Sequence, residues 1–389
     1  MKIINTFAAK ELWFVLLLLS GFFKQYLNIL NFGSIDFTLA VAGILLLLLF
    51  KEYLTSYERK MVSNYSLIGL CSLGSFLFFV FLSLLYTHSE QYFYQKLLSF
   101  FVCVYIYFLP QIYKDFNIQS FLKSFINVSL VLTIIFILLY PLVSGSSDFG
   151  IIRENYLVVG YLCGLNILLL FALKQGISLK LACFALVLFL TGARGPIIFT
   201  VLVSILIWLN MYGFFRIFTP KVLISLFALL FVFIGLIGTV EFMQDMLEGS
   251  LNRLFLLFSD DMGSSANVRI NHIVDSWMHI KSNPLLGYGF GSYGMVTTGL
   301  DIRSYPHNIF IEIWFEIGLL GLLAFTLFCF YHLGLTYRKI GFPAVCILIY
   351  ILLNALKSSS FAEVKFLFAF LSVFVLLSSS NSEKKFNLS

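Results

Sequence analysis

Long apolar runs recur along the whole chain, separated by short polar segments. A helix needs about 20 apolar residues to cross the hydrocarbon layer of a membrane. Twelve runs of roughly that length can be read, at about 11–30, 34–50, 64–86, 96–113, 122–143, 155–173, 177–192, 195–212, 221–240, 308–331, 342–356 and 364–379. The pattern predicts an all-α, polytopic bundle of about 12 transmembrane helices.

Composition agrees with this pattern. The chain is 60% hydrophobic and only 11% charged, whereas a soluble domain with so few charges would expose large apolar patches. All six cysteines fall within apolar runs and none has CxxC spacing, so the sequence suggests neither a disulfide framework nor a structural zinc site.

Positive charge fixes the predicted topology. With the N-terminus in the cytoplasm, every inside connection carries at least two Lys or Arg residues, as the positive-inside rule expects. The seventh and eighth runs are separated only by residues 192–196, so the alternative is that they form one long transmembrane helix. That merger would place Arg216, Lys221, Arg338 and Lys339 outside. Charge therefore favours twelve passes with both termini in the cytoplasm. The first run is expected to stay uncleaved, because no small-residue cleavage site follows its Leu-rich stretch.

This topology divides the chain into three parts. Residues 1–240 hold transmembrane helices 1–9, residues 241–307 form a large periplasmic loop with amphipathic helices, and residues 308–389 hold helices 10–12 and a short cytoplasmic tail. In the loop segment ANVRINHIVDSWMHIKSNP, apolar residues and polar residues each recur at helical spacing, which predicts one helix with two different faces. One face carries the apolar stripe Ile270, Ile273, Val274, Trp277 and Ile280, and the other carries Arg269, His272, Ser276 and His279.

Arginine is distributed differently from lysine. Twelve of the lysines fall inside, but five of the eight arginines fall outside: Arg153, Arg194, Arg253, Arg269 and Arg303. Arginine suits a site that must grip phosphate or carboxylate with a planar, permanent charge. Arg194 lies in the one break of a long apolar stretch, and Pro196 suits the first turn of the next helix. Its place beside a helix N-terminus predicts an anionic ligand.

The segment that closes the loop carries further candidates. His307 follows Pro306 at the water–membrane boundary, where a histidine can accept a proton near neutral pH. Asn308 stands beside it, and Glu312 and Glu316 follow within the tenth helix. The preceding stretch LLGYGFGSYG fits neither a P-loop nor a Rossmann turn, so its glycines are expected to let the backbone approach a sugar or phosphate closely. Tyr288 is expected to pack against a sugar ring.

A metal site is the other use for His272, His279 and His307. The sequence has no HExxH or DxD motif and no cysteine nearby, which disfavours that use. No metal or other cofactor is therefore expected.

Three segments together resemble the O-antigen ligase and O-antigen polymerase superfamily of bacterial membrane proteins. They are TGARGP (191–196), NVRINHIVDSW followed by NPLLGYGFGSY, and PHNIFIEIWFEIGLLGL (306–322), in the family's order and spacing. The match spans roughly the C-terminal half, and the first 150 residues match only in hydropathy. One departure is Ala193, where the family often has serine.

The resemblance implies a GT-C-type glycosyltransferase of the bacterial inner membrane that acts on glycans carried by undecaprenyl pyrophosphate. Arg194 and Arg269 would hold the pyrophosphate and His307 would serve the acceptor. Arg153, His272, Tyr288, Arg303, Asn308 and Glu312 are the expected substrate-binding residues. Expected partners are the lipid-linked donor, a lipid-linked glycan or lipid A–core acceptor, membrane lipids and a polysaccharide chain-length regulator, with no nucleic acid.

Chemistry supports the same roles. Pyrophosphate is already a good leaving group, so arginines that stabilise its charge and a histidine that orients and deprotonates the hydroxyl suffice for direct, inverting displacement. The predicted activity is repeat-unit polymerisation in surface-polysaccharide synthesis, favoured by the compact loop. The alternatives are an O-antigen ligase that transfers polymer to lipid A–core, a flippase for the lipid-linked oligosaccharide, and a non-catalytic scaffold.

Overall fold

The computed structural model describes residues 10–29, 36–55, 64–113, 115–143, 156–174, 178–213 and 264–379, with a few positions between 244 and 255. Throughout these ranges the regular structure is helical, which confirms the predicted all-α fold. The predicted run 221–240, Arg153 and Arg253 lie outside the described residues. The α-helices are α1 Lys10–Leu18, α2 Ser20–Ile29, α3 Phe37–Thr55, α4 Asn64–Leu84, α5 Tyr92–Ile112, α6 Ile118–Val143, α7 Tyr156–Ala172, α8 Leu179–Thr191, α9 Arg194–Tyr212, α10 Ser264–Ser282, α11 Tyr293–Thr298, α12 Ile309–Lys339, α13 Phe342–Ser358 and α14 Lys365–Ser379.

Six of these helices are long and apolar enough to cross a membrane: α3, α4, α5, α6, α9 and α12. Four shorter apolar helices, α7, α8, α13 and α14, accompany them. The first predicted run is not one helix, because α1 ends at Leu18 and α2 begins at Ser20. The other described runs each coincide with one helix.

The chain divides into two compact units, and the first comprises residues 1–59, 113–260 and 384–389. Within it α1 packs against α3 and α6, and α7 packs against α8 and α9. The predicted break between the seventh and eighth runs is present. Gly192 takes φ +59° and donates its N–H to the carbonyl of Phe189, which closes α8 two residues before α9 begins at Arg194.

The second unit comprises residues 60–112 and 261–383. Within it α12 packs against α4, α13 and α10, and α14 packs against α5. Phenylalanine rings fill the interior, with Phe76 within 5.0 Å of Phe325 and 5.9 Å of Phe100, centroid to centroid. Gly318 interrupts α12 with non-helical backbone angles, and at 1.5 Å per residue the part that follows it, 319–339, spans about 32 Å, close to a hydrocarbon layer of about 30 Å.

Candidate functional site

The entrance to α12 is built from Pro306, His307 and Asn308. Asn308 caps the helix, since its side-chain oxygen accepts the backbone N–H groups of Phe310 at 3.1 Å and Ile311 at 3.2 Å. His307 has φ +59°, a left-handed conformation that costs a non-glycine residue about 1 kcal/mol or more. A residue held there is positioned by its surroundings, and such residues cluster at functional sites.

The imidazole of His307 lies against two other rings of the second unit. The ring of His272 from α10 stacks on it, with centroids 5.8 Å apart and planes inclined by 22°. The ring of Tyr305 meets it edge-on at 4.6 Å. His272 Nδ1 donates to the carbonyl oxygen of Tyr305 at 3.2 Å, which leaves Nε2 of the neutral His272 ring as an acceptor. The structure therefore brings two of the predicted histidines together.

The surroundings of His307 lower the pKa of its imidazole to about 4. Burial is the largest cause, because it disfavours the charged imidazolium, and the positive charge of Arg269 is the second, followed by His272. The side chain of Arg269 thus acts on His307 from one turn before His272 on α10. At neutral pH the His307 ring is uncharged and can accept a proton.

Within the same unit, a buried lysine of α5 holds the two carboxylates of α12. Lys96 Nζ lies 2.5 Å from Glu312 Oε1 and 2.7 Å from Glu316 Oε1, and all three side chains are at most 1% exposed. The ammonium also lies 4.7 Å from the ring centroid of Phe361. Charges this deep are stable only when paired and hydrogen-bonded, and this set satisfies both conditions.

Backbone and hydroxyl donors complete the carboxylate network. Glu312 accepts from the hydroxyl of Ser360 at 2.7 Å and from the N–H of Phe361 at 2.9 Å. Glu316 accepts from the N–H of Gly291 at 2.8 Å. The network therefore ties α5, α12, the glycine-rich segment and the turn after α13 to one another.

The glycine-rich segment packs against a break in α12. Gly318 interrupts the helix at φ +81° and ψ −178°, which frees the carbonyls of Phe315 and Glu316 to accept the N–H groups of Tyr288 and Gly289 at 2.9 Å each. A Cβ on Gly318 would lie 2.0 Å from the carbonyl oxygen of Leu285. These glycines therefore let the segment approach other backbone of the protein closely, and their approach to a sugar or phosphate stays a prediction.

The short connection between α4 and α5 holds the same segment from the other side. Thr87 Oγ1 donates to the carbonyl of Phe290 at 2.7 Å, and His88 Nδ1 donates to that of Tyr288 at 2.8 Å. Asp301 accepts from Ser89 Oγ at 2.6 Å and from the N–H of Gln91 at 2.6 Å, near the start of α5. Burial by itself would raise the pKa of Asp301, but these hydrogen bonds to the carboxylate outweigh it and hold the pKa below its usual value.

The sequence did not predict the contacts that the connection between α4 and α5 makes, and it did not predict the ion pairs of Lys96. One signal for Lys96 was available, since it is the single charged residue between positions 91 and 113. An isolated charge within an apolar helix calls for a partner. In the same way, Glu312 and Glu316 within the tenth apolar run indicated that a buried cation lies near them.

Several expected substrate-binding residues are engaged by the protein itself. The hydroxyl of Tyr288 donates to the carbonyl of His279 and its ring packs 5.1 Å from that of Phe315. Arg303 forms an exposed ion pair with Glu363 at 2.8 Å. Glu312 is fully buried, so its carboxylate serves the interior network, and the side-chain oxygen of Asn308 caps α12. The contacts that the structure shows for these four residues are therefore contacts with other parts of the protein, and their binding of substrate stays a prediction.

Arg194 lies in the first unit, at the first position of α9. Its neighbour Ala193 is the N-cap residue and supplies no side-chain hydrogen bond to the first turn. Ala193 is buried, and a Cβ on Gly160 of α7 would lie 2.7 Å from the Cβ of Ala193, so α7 passes close to the start of α9. The predicted place of Arg194 at a helix N-terminus is confirmed.

The segment that contains Arg194, Arg269 and His307 is also similar in sequence to a known protein family. Residues 179–326 match the O-antigen ligase family. The O-antigen ligase match runs from α8 into α12 and confirms the resemblance read from the three motifs. It supports glycan transfer of the O-antigen ligase or polymerase type by a multi-pass membrane enzyme that uses lipid-linked glycans. No curated protein matches the chain.

Proposed function

We propose that the chain transfers a glycan from an undecaprenyl-pyrophosphate donor to an acceptor hydroxyl at the periplasmic face of the inner membrane, without a metal ion. The observation that carries this proposal is the cluster of Arg269, His272 and His307 at the mouth of a membrane-spanning helix. It offers a fixed cation beside an uncharged proton acceptor, as this displacement requires.

The proposed reaction is a single inverting displacement. The acceptor oxygen forms a bond to the anomeric carbon while the bond from that carbon to the phosphate oxygen breaks. The hydroxyl proton passes to His307, and undecaprenyl pyrophosphate leaves with the electron pair. Arg269 stabilises the charge on the leaving group, and we propose the same role for Arg194.

Donor binding would also strengthen the base. The positive charge of Arg269 is one of the causes that lower the pKa of His307. A pyrophosphate placed on Arg269 adds opposing negative charge and so favours the imidazolium. His307 therefore becomes a better proton acceptor only once the donor is in place, which limits unproductive protonation of the empty site.

Purified protein reconstituted with a defined lipid-linked oligosaccharide tests this reaction. Loss of product with His307→Asn and with Arg269→Gln supports the proposal, because asparagine tolerates the left-handed backbone that His307 adopts. Lys281→Gln is the control for the loss of a positive charge, since Lys281 is an exposed cation on the same helix as Arg269. Unchanged product formation by folded His307→Asn protein would refute the proposed reaction.

The proposed role of Arg194 in donor binding needs its own test. If Arg194 binds the pyrophosphate, Arg194→Gln should weaken donor affinity, because the variant loses a permanent positive charge. Unchanged donor affinity in folded Arg194→Gln protein would refute this role.

For the acceptor, we propose a second lipid-linked glycan, so that the enzyme is a repeat-unit polymerase. The compact helical segment 264–307 supports a small acceptor. A ligase that transfers polymer to lipid A–core is the second candidate, favoured by the description of the matching family. Deletion in the native organism separates them: single-repeat caps indicate a lost polymerase, whereas uncapped core with accumulated lipid-linked polymer indicates a lost ligase.

A further inference from the structure

The helix α10 has two faces of opposite character, and the structure reverses the usual arrangement. Ser276 on its polar face is fully buried, and Arg269, His272 and His279 are half-buried. Four residues of the apolar stripe are instead exposed: Ile270 at 49%, Ile273 at 38%, Val274 at 51% and Trp277 at 44%. In a soluble protein such a surface would be unstable in water.

The exposed stripe continues onto the outer surface of a membrane-spanning helix. The ring of Trp277 meets that of Trp314 in α12 edge-on, with centroids 5.2 Å apart. Trp314 Nε1 donates to the carbonyl of Pro284 at 3.0 Å, and the neighbouring Leu285 and Leu286 are also exposed. Farther along, α12 presents its exposed residues Leu320, Leu323, Leu327 and Phe330. Exposed apolar residues are therefore present on α10, at Leu285 and Leu286, and along α12.

The length of α12 sets the depth of this junction. Arg338 and Lys339 end the helix, where a headgroup layer suits their charges. Counting back about 20 residues, the length that crosses the hydrocarbon, leads to the break at Gly318. Trp314 lies one turn beyond that break, at the level where tryptophan is enriched at membrane–water interfaces. Trp277 lies against it and shares that level.

We propose that α10 lies along the membrane surface with its apolar stripe, Ile270 to Trp277, in the interfacial layer of the lipid bilayer. An amphipathic helix of this kind is stabilised by burying its apolar face at the boundary between headgroups and acyl chains. The opposite face then carries Arg269 and His272 at the level of the lipid phosphates. This placement rests on burial and on the geometry of α12 and does not depend on the proposed reaction.

Depth-dependent quenching of tryptophan fluorescence tests the placement in the full-length protein. A variant that retains Trp277 alone (Trp13→Phe, Trp208→Phe, Trp314→Phe) is reconstituted in phosphatidylcholine vesicles that contain a lipid with a nitroxide near the headgroup or near the middle of the acyl chain. We expect the shallow nitroxide to quench Trp277 at least twofold more than the deep one. Adding Trp277→Phe and Leu327→Trp should reverse that order, because Leu327 is exposed on the spanning part of α12.

A second position tests the orientation of the helix. With the four natural tryptophans replaced by phenylalanine and Ile270→Trp added, the shallow nitroxide should again quench more strongly, since both ends of the stripe lie at one depth. Quenching of Trp277 by aqueous iodide without quenching by either lipid would overturn the proposal. Protection from all the quenchers would overturn it too, because a protein partner would then cover the stripe.

Discussion

His272 stacks on His307 across 5.8 Å, and this contact joins the only long helix described in the segment 264–307 to the mouth of α12. One ring comes from α10, which Tyr293 anchors by donating its hydroxyl to the carbonyl of His272 at 3.2 Å. The other sits on a left-handed backbone held by the cap of α12. Each histidine thus limits the movement of the other.

Replacing His307 should separate chemistry from folding. We expect His307→Asn to lower product formation by 100-fold or more, as removal of a general base commonly does, while donor affinity changes little. Stopped product assays and donor-binding measurements on the same reconstituted sample give the two values. A large loss of donor affinity with an unchanged rate at saturation would instead assign His307 to binding.

The pH dependence of the reaction should follow the lowered pKa of His307. A histidine with a folded-state pKa of about 4 stays uncharged until the pH falls toward that value, so kcat/KM should lose activity on the acidic side only there. Because Arg269 contributes to the lowering, Arg269→Gln should move the acidic limb to higher pH, although it also reduces the overall rate. An acidic limb that Arg269→Gln leaves in place would contradict the coupling.

The same shift predicts how stability depends on pH. The unfolded histidine titrates near 6.5, so between about 4 and 6.5 the unfolded chain binds more protons than the folded protein at this position. The contribution of His307 is therefore complete above pH 6.5 and decreases as the pH falls toward 4. Thermal unfolding in detergent should show a smaller loss between pH 7 and 5 for His307→Asn than for the parent protein.

Removing the buried lysine should cost far more stability than removing an accessible one. Lys96→Met leaves Glu312 and Glu316 buried without their cation, and we expect a loss of about 3–5 kcal/mol. Lys10→Met, which breaks the partly exposed pair with Glu52 at 3.2 Å, should cost about 1 kcal/mol or less. Unfolding in a denaturing detergent series measures both. The triple variant Lys96→Met, Glu312→Gln, Glu316→Gln should recover part of the loss, and equal losses for the two single lysine variants would contradict the assignment.

Two glycines of α12 provide a matched pair. Gly318→Ala should destabilise the protein by several kcal/mol, because the new Cβ would overlap the carbonyl of Leu285 and the backbone has φ +81°. Gly334→Ala meets nothing within 4 Å and should be neutral or stabilising by up to about 1 kcal/mol, the usual gain in a helix interior. Comparable Tm values for the two variants would show that the break at Gly318 does not matter for stability.

Sequence by itself determined the parts of this protein that depend on local pattern. Hydropathy located the helices, Gly192 and Pro196 placed the break before Arg194, and spacing put Arg269 and His272 on one face of α10. Those features follow from the period of the helix and the backbone preferences of single residues, which are properties of neighbouring positions.

Tertiary structure decided the contacts between residues far apart in the chain. Lys96 meets Glu312 across more than 200 positions, and the glycines after Pro284 meet the broken backbone at Gly318. Composition gave no sign that the apolar stripe of α10 would stay exposed while its polar face turned inward. Packing determines such choices, because burying a charge or a backbone polar group is favourable only where its partner is already in place.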